Sequence, residues 1–150
     1  MSERLARQAF YELGPRITSS LLALGKTDQQ STLEKRLCTL VRLRVSQINA
    51  CCFCLHMHSQ ELREVGEQQA RLDVLSAWRE ANCFSGRERS ALALAESITR
   101  IAEGGVTDEI YQQCLREFGE RDLLELMAVI LEINSWNRVS VSLGFQPDIR

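Results

Sequence analysis

The segment Cys51-Cys52-Phe53-Cys54-Leu55-His56-Met57-His58 gathers three of the chain's six cysteines and both of its histidines. If it is helical, Cys51, Cys54 and His58 stand at i, i+3 and i+7 and share one face. Thiols at that spacing can close a C-x-x-C disulfide. An imidazole one turn beyond Cys54 can take its proton or pair with its thiolate. Cys51 is expected in the first turn, where unpaired backbone N–H groups and the positive helix end stabilise a thiolate. The preceding segment adds Lys35, Arg36, Arg42 and Arg44 against one acid, Glu34, which helps further if those side chains face the sulfurs.

Cys52 and His56 fall on the opposite face. Cys52 is expected in the core as a small hydrophobe, because free cysteine is commonly buried. His56 is either a supporting hydrogen-bonder or a solvated side chain. Cys38, Cys83 and Cys114 stand alone and are expected to be packing residues. Zinc competes for Cys51, Cys54 and His58, with Cys52 or His56 as a fourth ligand. One helical stretch cannot easily surround a tetrahedral ion, however, and no second C-x-x-C or H-x-x-x-H is present. No metal is therefore expected.

Helices must position these groups. The chain has 150 residues, 45% of them hydrophobic and 25% charged, with only 2 prolines and 8 glycines. Those proportions argue against a turn-dense β fold, and the helical periodicity along the chain predicts one all-α domain over residues 1–150. A net charge of -2 gives no electrostatic reason to expect nucleic acid. The longest apolar stretch, Leu123 to Ile133, is broken by Glu125 and Glu132, so no membrane span is expected. The N-terminus lacks a signal-peptide core, which predicts a cytoplasmic protein. In that reducing compartment clustered cysteines point to catalysis or metal binding rather than structural disulfides.

The pattern predicts a helix from Glu3 to Leu13, a break at Gly14-Pro15, and a short helix through Leu24. Ser31 and Glu34 read as a capping box opening a helix whose face carries Leu33, Leu37, Leu40, Val41, Val45 and Ile48. A break at Gln47 to Ala50 precedes the cysteine helix, Cys51 to Val65, which closes at Gly66. Gln69 to Ala81 reads as an amphipathic helix with Leu72, Leu75 and Trp78 inward. Ser85 and Glu88 repeat the capping box for a helix ending at Gly104-Gly105. Thr107 caps another that stops before Gly119. The last helix, Arg121 to Leu143, is apolar on several faces, as in a helix central to a core or shared with another subunit.

The stretch Val41 to His58, the Trp78-Arg79-Glu80 segment, and Ile133-Asn134-Ser135-Trp136-Asn137-Arg138 together resemble the AhpD-like alkylhydroperoxidases of the carboxymuconolactone decarboxylase superfamily. The resemblance covers about residues 31–143 and centres on S-Q-I-N-x-C-x-x-C-x-x-x-H. It implies an all-α domain with the C-x-x-C at the start of a central helix, and a trimer or hexamer. It also implies peroxide reduction through the cysteine pair without haem, flavin or metal, recharged by a dithiol or thioredoxin-like reductant. Cys51, Cys54 and His58 take the family's catalytic positions, with Cys54 attacking peroxide and Cys51 resolving. The decarboxylase branch lacks the cysteine pair, so that activity is not expected.

One position departs from the pattern. The full alkylhydroperoxidases carry a relay glutamate twelve residues before the first cysteine, where this chain has Thr39. Either another carboxylate substitutes or the relay is weaker. Glu88 and Glu96 lie in a stretch similar to this subgroup and are candidates, although Glu88 already has a capping role and Glu96 suits a solvated face. Trp136 and Asn137 are candidates for lining the pocket or a subunit contact. The expected function is a thiol peroxidase. Its rivals are a protein or lipoamide disulfide reductase and a metal or redox sensor.

Overall fold

Leu37, Val41 and Val45 repeat at four-residue intervals, while Leu40 and Leu43 occupy a second face of the same stretch. A helix with two apolar faces must be covered from two sides. The computed structural model, which describes residues 4–150, meets that demand with seven α-helices and, among the described residues, no strand. These are α1 (Arg7–Leu13), α2 (Pro15–Gly25), α3 (Lys35–Ile48), α4 (Cys52–Glu64), α5 (Gln69–Asp73), α6 (Gly86–Thr99) and α7 (Asp108–Leu143).

Helix α3 is the hub. Its Leu37, Val41 and Val45 pack with Ala91 and Leu94 of α6 and with Leu126, Ile130 and Ile133 of α7. Leu40 and Leu43 pack instead with Leu62 of α4, and with Leu72, Leu75 and Trp78 beyond it. Burying one such side chain contributes about 1.5–3 kcal/mol, so α3 is anchored from both sides. The loop it launches toward α4 therefore starts from a fixed point.

Several boundaries differ from expectation. Helix α1 begins at Arg7, and Glu3 lies outside the described residues. The Ser31–Glu34 capping box does not form, because α3 starts only at Lys35. Leu33 turns inward, Ser31 Oγ accepts from its amide at 3.2 Å, and Glu34 pairs with Arg87 at 3.1 Å. Asp122 of α7 accepts the Thr32 amide at 3.1 Å, which holds this entry segment extended. The expected helix over Gln69 to Ala81 is a short α5 followed by a 3₁₀ turn at Leu75–Ala77. Leu72, Leu75 and Trp78 are nonetheless buried, since a three-residue spacing suits a 3₁₀ path as well as a helix.

The Ser85–Glu88 box forms, with the Ser85 amide donating to Glu88 Oε1 at 2.9 Å and the Glu88 amide donating to Ser85 Oγ at 3.1 Å. Its helix ends at Thr99, and a 3₁₀ turn covers Ile101–Glu103 before the two glycines. Thr107 caps α7, and at Gly119, φ 73° and ψ 171°, the backbone is non-helical, so two helices meet at a kink where the first was expected to stop. Of the apolar α7 residues, Leu123, Leu126, Val129, Ile130 and Ile133 are buried, whereas Leu124 and Leu131 face outward. Among the described residues, no helix is long and apolar enough to cross a membrane.

Candidate active site

The cysteine pair sits where α3 hands over to α4. Ala50 adopts φ 53°, a left-handed conformation that is uncommon for a residue with a Cβ. The Cys51 amide donates to Ser46 O at 3.1 Å and the Ala50 amide to Gln47 O at 3.3 Å. Those two bonds form a Schellman closure of α3 with alanine in the place glycine usually takes. The chain leaves it directly into the N-cap of α4, which is Cys51 itself. Cys51 is thus one residue ahead of the first turn rather than inside it. Its sulfur accepts the Cys54 amide at 3.3 Å, so an orphan donor of the helix start points at the pair.

Cys51 and Cys54 are joined as a disulfide, with a Cα–Cα separation of 5.3 Å and each residue 1% exposed. A small cleft of about 140 Å³ reaches Cys51 and is lined by Ala50, Cys52, Val141, Phe145 and Gln146 among others. Cys52 is exposed, against the expectation of a core residue, with its sulfur 3.7 Å from Phe145 O. The arithmetic that put it opposite the pair placed it toward solvent. Cys83 is exposed as well, while Cys38 and Cys114 are buried as expected.

Polar side chains of α7 brace the turn. Asn137, 1% exposed, donates to Ser46 Oγ at 3.0 Å and accepts from Asn49 Nδ2 at 3.0 Å. Asn49 also donates to Asn134 Oδ1 at 3.0 Å, and Asn134 reaches Thr99 Oγ1 of α6 at 3.0 Å. Asn137 is therefore not a lining side chain but the post to which the cysteine turn is tied. Ser46, Asn49 and Asn134 belong to the same brace; in the sequence they fall inside the family-like stretches but receive no role of their own, because a hydrogen-bonded brace between helices leaves no periodic signal.

His58 is buried one turn beyond Cys54, on a face where Cβ atoms at i and i+4 lie about 5–6 Å apart. Its Nδ1 is 3.1 Å from Glu61 Oε2. That bond holds the Glu61 carboxyl below the usual carboxylate range in spite of its partial burial. Glu61 was missed in the sequence although its i+3 spacing from His58 was available. Thr39 is buried and spends its hydroxyl on Lys35 O at 3.0 Å. It lies in a cleft of about 310 Å³ lined also by Lys35, Arg36, Glu61, Glu64 and Val65.

The other candidates make no hydrogen bond to the pair among the described residues. Glu88 serves its capping box and Arg71. Glu96 is buried, not solvated, and accepts from Trp78 Nε1 and Arg44 Nε, each at 2.9 Å, and from Arg79. Burial would raise the Glu96 carboxyl, but these donors outweigh it and hold it below its ordinary range. His56 is half-buried beside Gln60, Arg63 and Asp148 and makes no hydrogen bond among the described residues. Trp136 packs edge-on to Phe10, centroids 6.2 Å apart, and borders Gly25, Arg42 and Glu132. Three of the four α3 cations are committed elsewhere: Arg42 binds Glu132 at 3.0 Å, Arg44 binds Glu96 at 2.8 Å, and Arg36 reaches Val65 O at 2.7 Å, while Lys35 lines the cleft at Glu61. Among the described residues, no three His, Cys, Asp or Glu side chains converge to hold a metal ion.

The sequence model of the carboxymuconolactone decarboxylase family matches residues 15–97, from α2 through most of α6. That span begins before and ends well short of the expected 31–143. The uncharacterized protein YdfG of Bacillus subtilis is 36% identical over 144 residues, covering 96% of both chains. A protein of unknown function from Agrobacterium tumefaciens, whose name also carries "antioxidant defence protein AhpD", superposes with TM-score 0.90 at 30% identity, covering 99% of this chain and 100% of its own. An uncharacterized peroxidase-related protein from Ralstonia eutropha, an alkylhydroperoxidase AhpD core, shares the fold at TM-score 0.78 and 17% identity over 93% of this chain and 75% of its own.

Proposed function

This chain belongs to the carboxymuconolactone decarboxylase family, and we propose that it works there as a thiol-dependent peroxidase. The observation that carries the proposal is the Cys51–Cys54 disulfide at the start of α4, one turn from a buried histidine. In the reduced protein, His58 takes the Cys54 proton and the thiolate attacks the distal oxygen of a hydroperoxide. The O–O bond breaks, Cys54 becomes a sulfenic acid, and the departing alkoxide takes a proton to leave as alcohol. The Cys51 thiol then attacks the Cys54 sulfur, forming the disulfide and releasing water. An external dithiol reduces it by exchange and leaves as its own disulfide, so two electrons enter and two leave per cycle.

Two features support the division of labour. Cys54 is the cysteine beside His58, and Cys51 is the one that lines a cleft through which a dithiol can arrive. A dithiol attacking Cys51 expels Cys54 as the thiolate, ready for the next peroxide. The same chemistry could serve protein or lipoamide disulfides. Stopped-flow rates of the pre-reduced protein with cumene hydroperoxide and with oxidised lipoamide separate the two: the proposal requires the peroxide to react faster, and a faster lipoamide reaction makes the protein a disulfide reductase. Assembly as a trimer or hexamer belongs to this reading, because α2 buries none of its residues and leaves Ile17 and Leu22 exposed, as Leu124 and Leu131 of α7 are. Light scattering should then give three or six copies.

A further inference from the structure

His58 has a single polar outlet. Its hydrogen bond to Glu61 is the one side-chain hydrogen bond that either residue makes among the described residues. The His58 side chain is 7% exposed, whereas that of Glu61 is 47% exposed and lines the cleft floored by Thr39. This cleft shares no lining residue with the one at Cys51. Sulfur and proton therefore face different openings.

From this geometry we infer that Glu61 is the positioning carboxylate of His58, and that protons enter and leave the site through the Thr39–Glu61 cleft while thiols exchange at the Cys51 cleft. The inference rests on the thiol-peroxidase reading above. Glu61 accepts from Nδ1–H, which fixes the tautomer and leaves Nε2 as the basic nitrogen. When the Cys54 S–H proton moves to Nε2, the carboxylate faces the new imidazolium, and no electron changes hands. The proton goes on to the leaving alkoxide. Water in the cleft re-equilibrates the dyad afterwards. A small, neutral Thr39 leaves that cleft open.

The other charges around the dyad come from three helices. Lys35 and Arg42 of α3 bear on Glu61, and Arg36 stands at the cleft wall. Glu64 of α4 lines the same wall, and Glu132 of α7 faces both His58 and Glu61. These remain in place when Glu61 alone is changed.

The test uses the pre-reduced full chain as wild type, Glu61→Gln and Glu61→Ala. Two rates are read between about pH 5 and 8, the span in which a histidine titrates: cumene hydroperoxide consumption, and iodoacetamide alkylation of Cys54 by peptide mapping. Both variants should lose about tenfold in peroxide rate or more. Their alkylation midpoint should move to higher pH, because without the carboxylate the imidazolium that pairs with the thiolate is less favoured. Formate should restore Glu61→Ala, where a space is left, and should not restore Glu61→Gln. An unchanged alkylation profile with no response to formate would overturn the inference, even if the peroxide rate fell. If wild type ignores peroxide while the alkylation profile still shifts, the peroxidase reading fails and the role of Glu61 stands.

Discussion

Four cysteines are almost completely buried, and they fall into two pairs with opposite surroundings. Cys38 and Cys114 are 3% and 0% exposed, within helices and packed among aliphatic side chains. Burial pushes the Cys38 thiol up and that of Cys114 to about 11, and the Cys114 S–H donates to Ser90 O at 3.2 Å. Cys51 and Cys54 are buried to the same degree, at 1% each, yet they open a helix whose Cys54 amide points at sulfur. The Cys38 amide, near the start of α3, is spent on Glu34 O at 3.1 Å, whereas the Cys54 amide is left for a sulfur. A sulfur at the N-cap that takes a helix-start amide, rather than depth, separates the reactive pair from the inert one.

Exchanging cysteines gives the sharpest contrast. Cys51→Ser or Cys54→Ser should lower peroxide turnover at least about a thousandfold, because no disulfide can close. Cys38→Ala and Cys114→Ala should keep turnover within about twofold and lose about 1 kcal/mol of stability in urea melts. Cys52→Ser, at an exposed position, should change neither. Loss of turnover in Cys114→Ala comparable to that in Cys54→Ser would erase the distinction.

Much of this contrast was legible in the sequence. The spacing of Cys51, Cys54 and His58, and the capping signals at Ser85 and Thr107, are local patterns, and local geometry fixes their outcome. Signals that needed a distant partner misled. Ser31 and Glu34 have the capping spacing, but Asp122 captures the Thr32 amide and Leu33 turns into the core. Glu96 reads as a solvated helix residue until Trp78, Arg44 and Arg79 fold over it. Cys52 was expected inside on the habits of its residue type, against its own position on the helix. Glu61 was within reach of the same spacing rule that found His58.

The brace behind the reactive pair has no counterpart at the inert one, and removing it should show as much. Asn137→Ala strips buried partners from Ser46 and Asn49, which should cost about 1–3 kcal/mol. It should lower turnover as the cysteine turn loosens. Calorimetry and steady-state rates on one preparation test both effects. Undiminished turnover would mean that the turn holds itself.

A pH titration probes the buried ion cluster that secures Trp78 beneath α6. The Glu96 carboxyl is depressed in the folded chain relative to its ordinary 4.5. Its contribution to stability is therefore complete above that value and lost as pH falls through the lower folded value. Glu96→Gln should flatten the acid side of the stability profile. An identical acid limb in wild type and variant would show that Glu96 contributes nothing to it.

The smallest effect concerns the turn itself. Ala50→Gly relieves a left-handed alanine and should stabilise the protein by up to about 1 kcal/mol, read as a higher melting temperature. A lower one would mean that the Ala50 methyl group contributes contacts worth more than the strain.

The most direct measurement of all is the free-thiol count of the reduced protein before and after one equivalent of cumene hydroperoxide, followed by mass mapping. Two thiols should vanish, with a single new cross-link between the peptides bearing Cys51 and Cys54 and with cumyl alcohol formed in equal amount. Six thiols surviving intact, or a cross-link that joins any other pair first, would contradict the account.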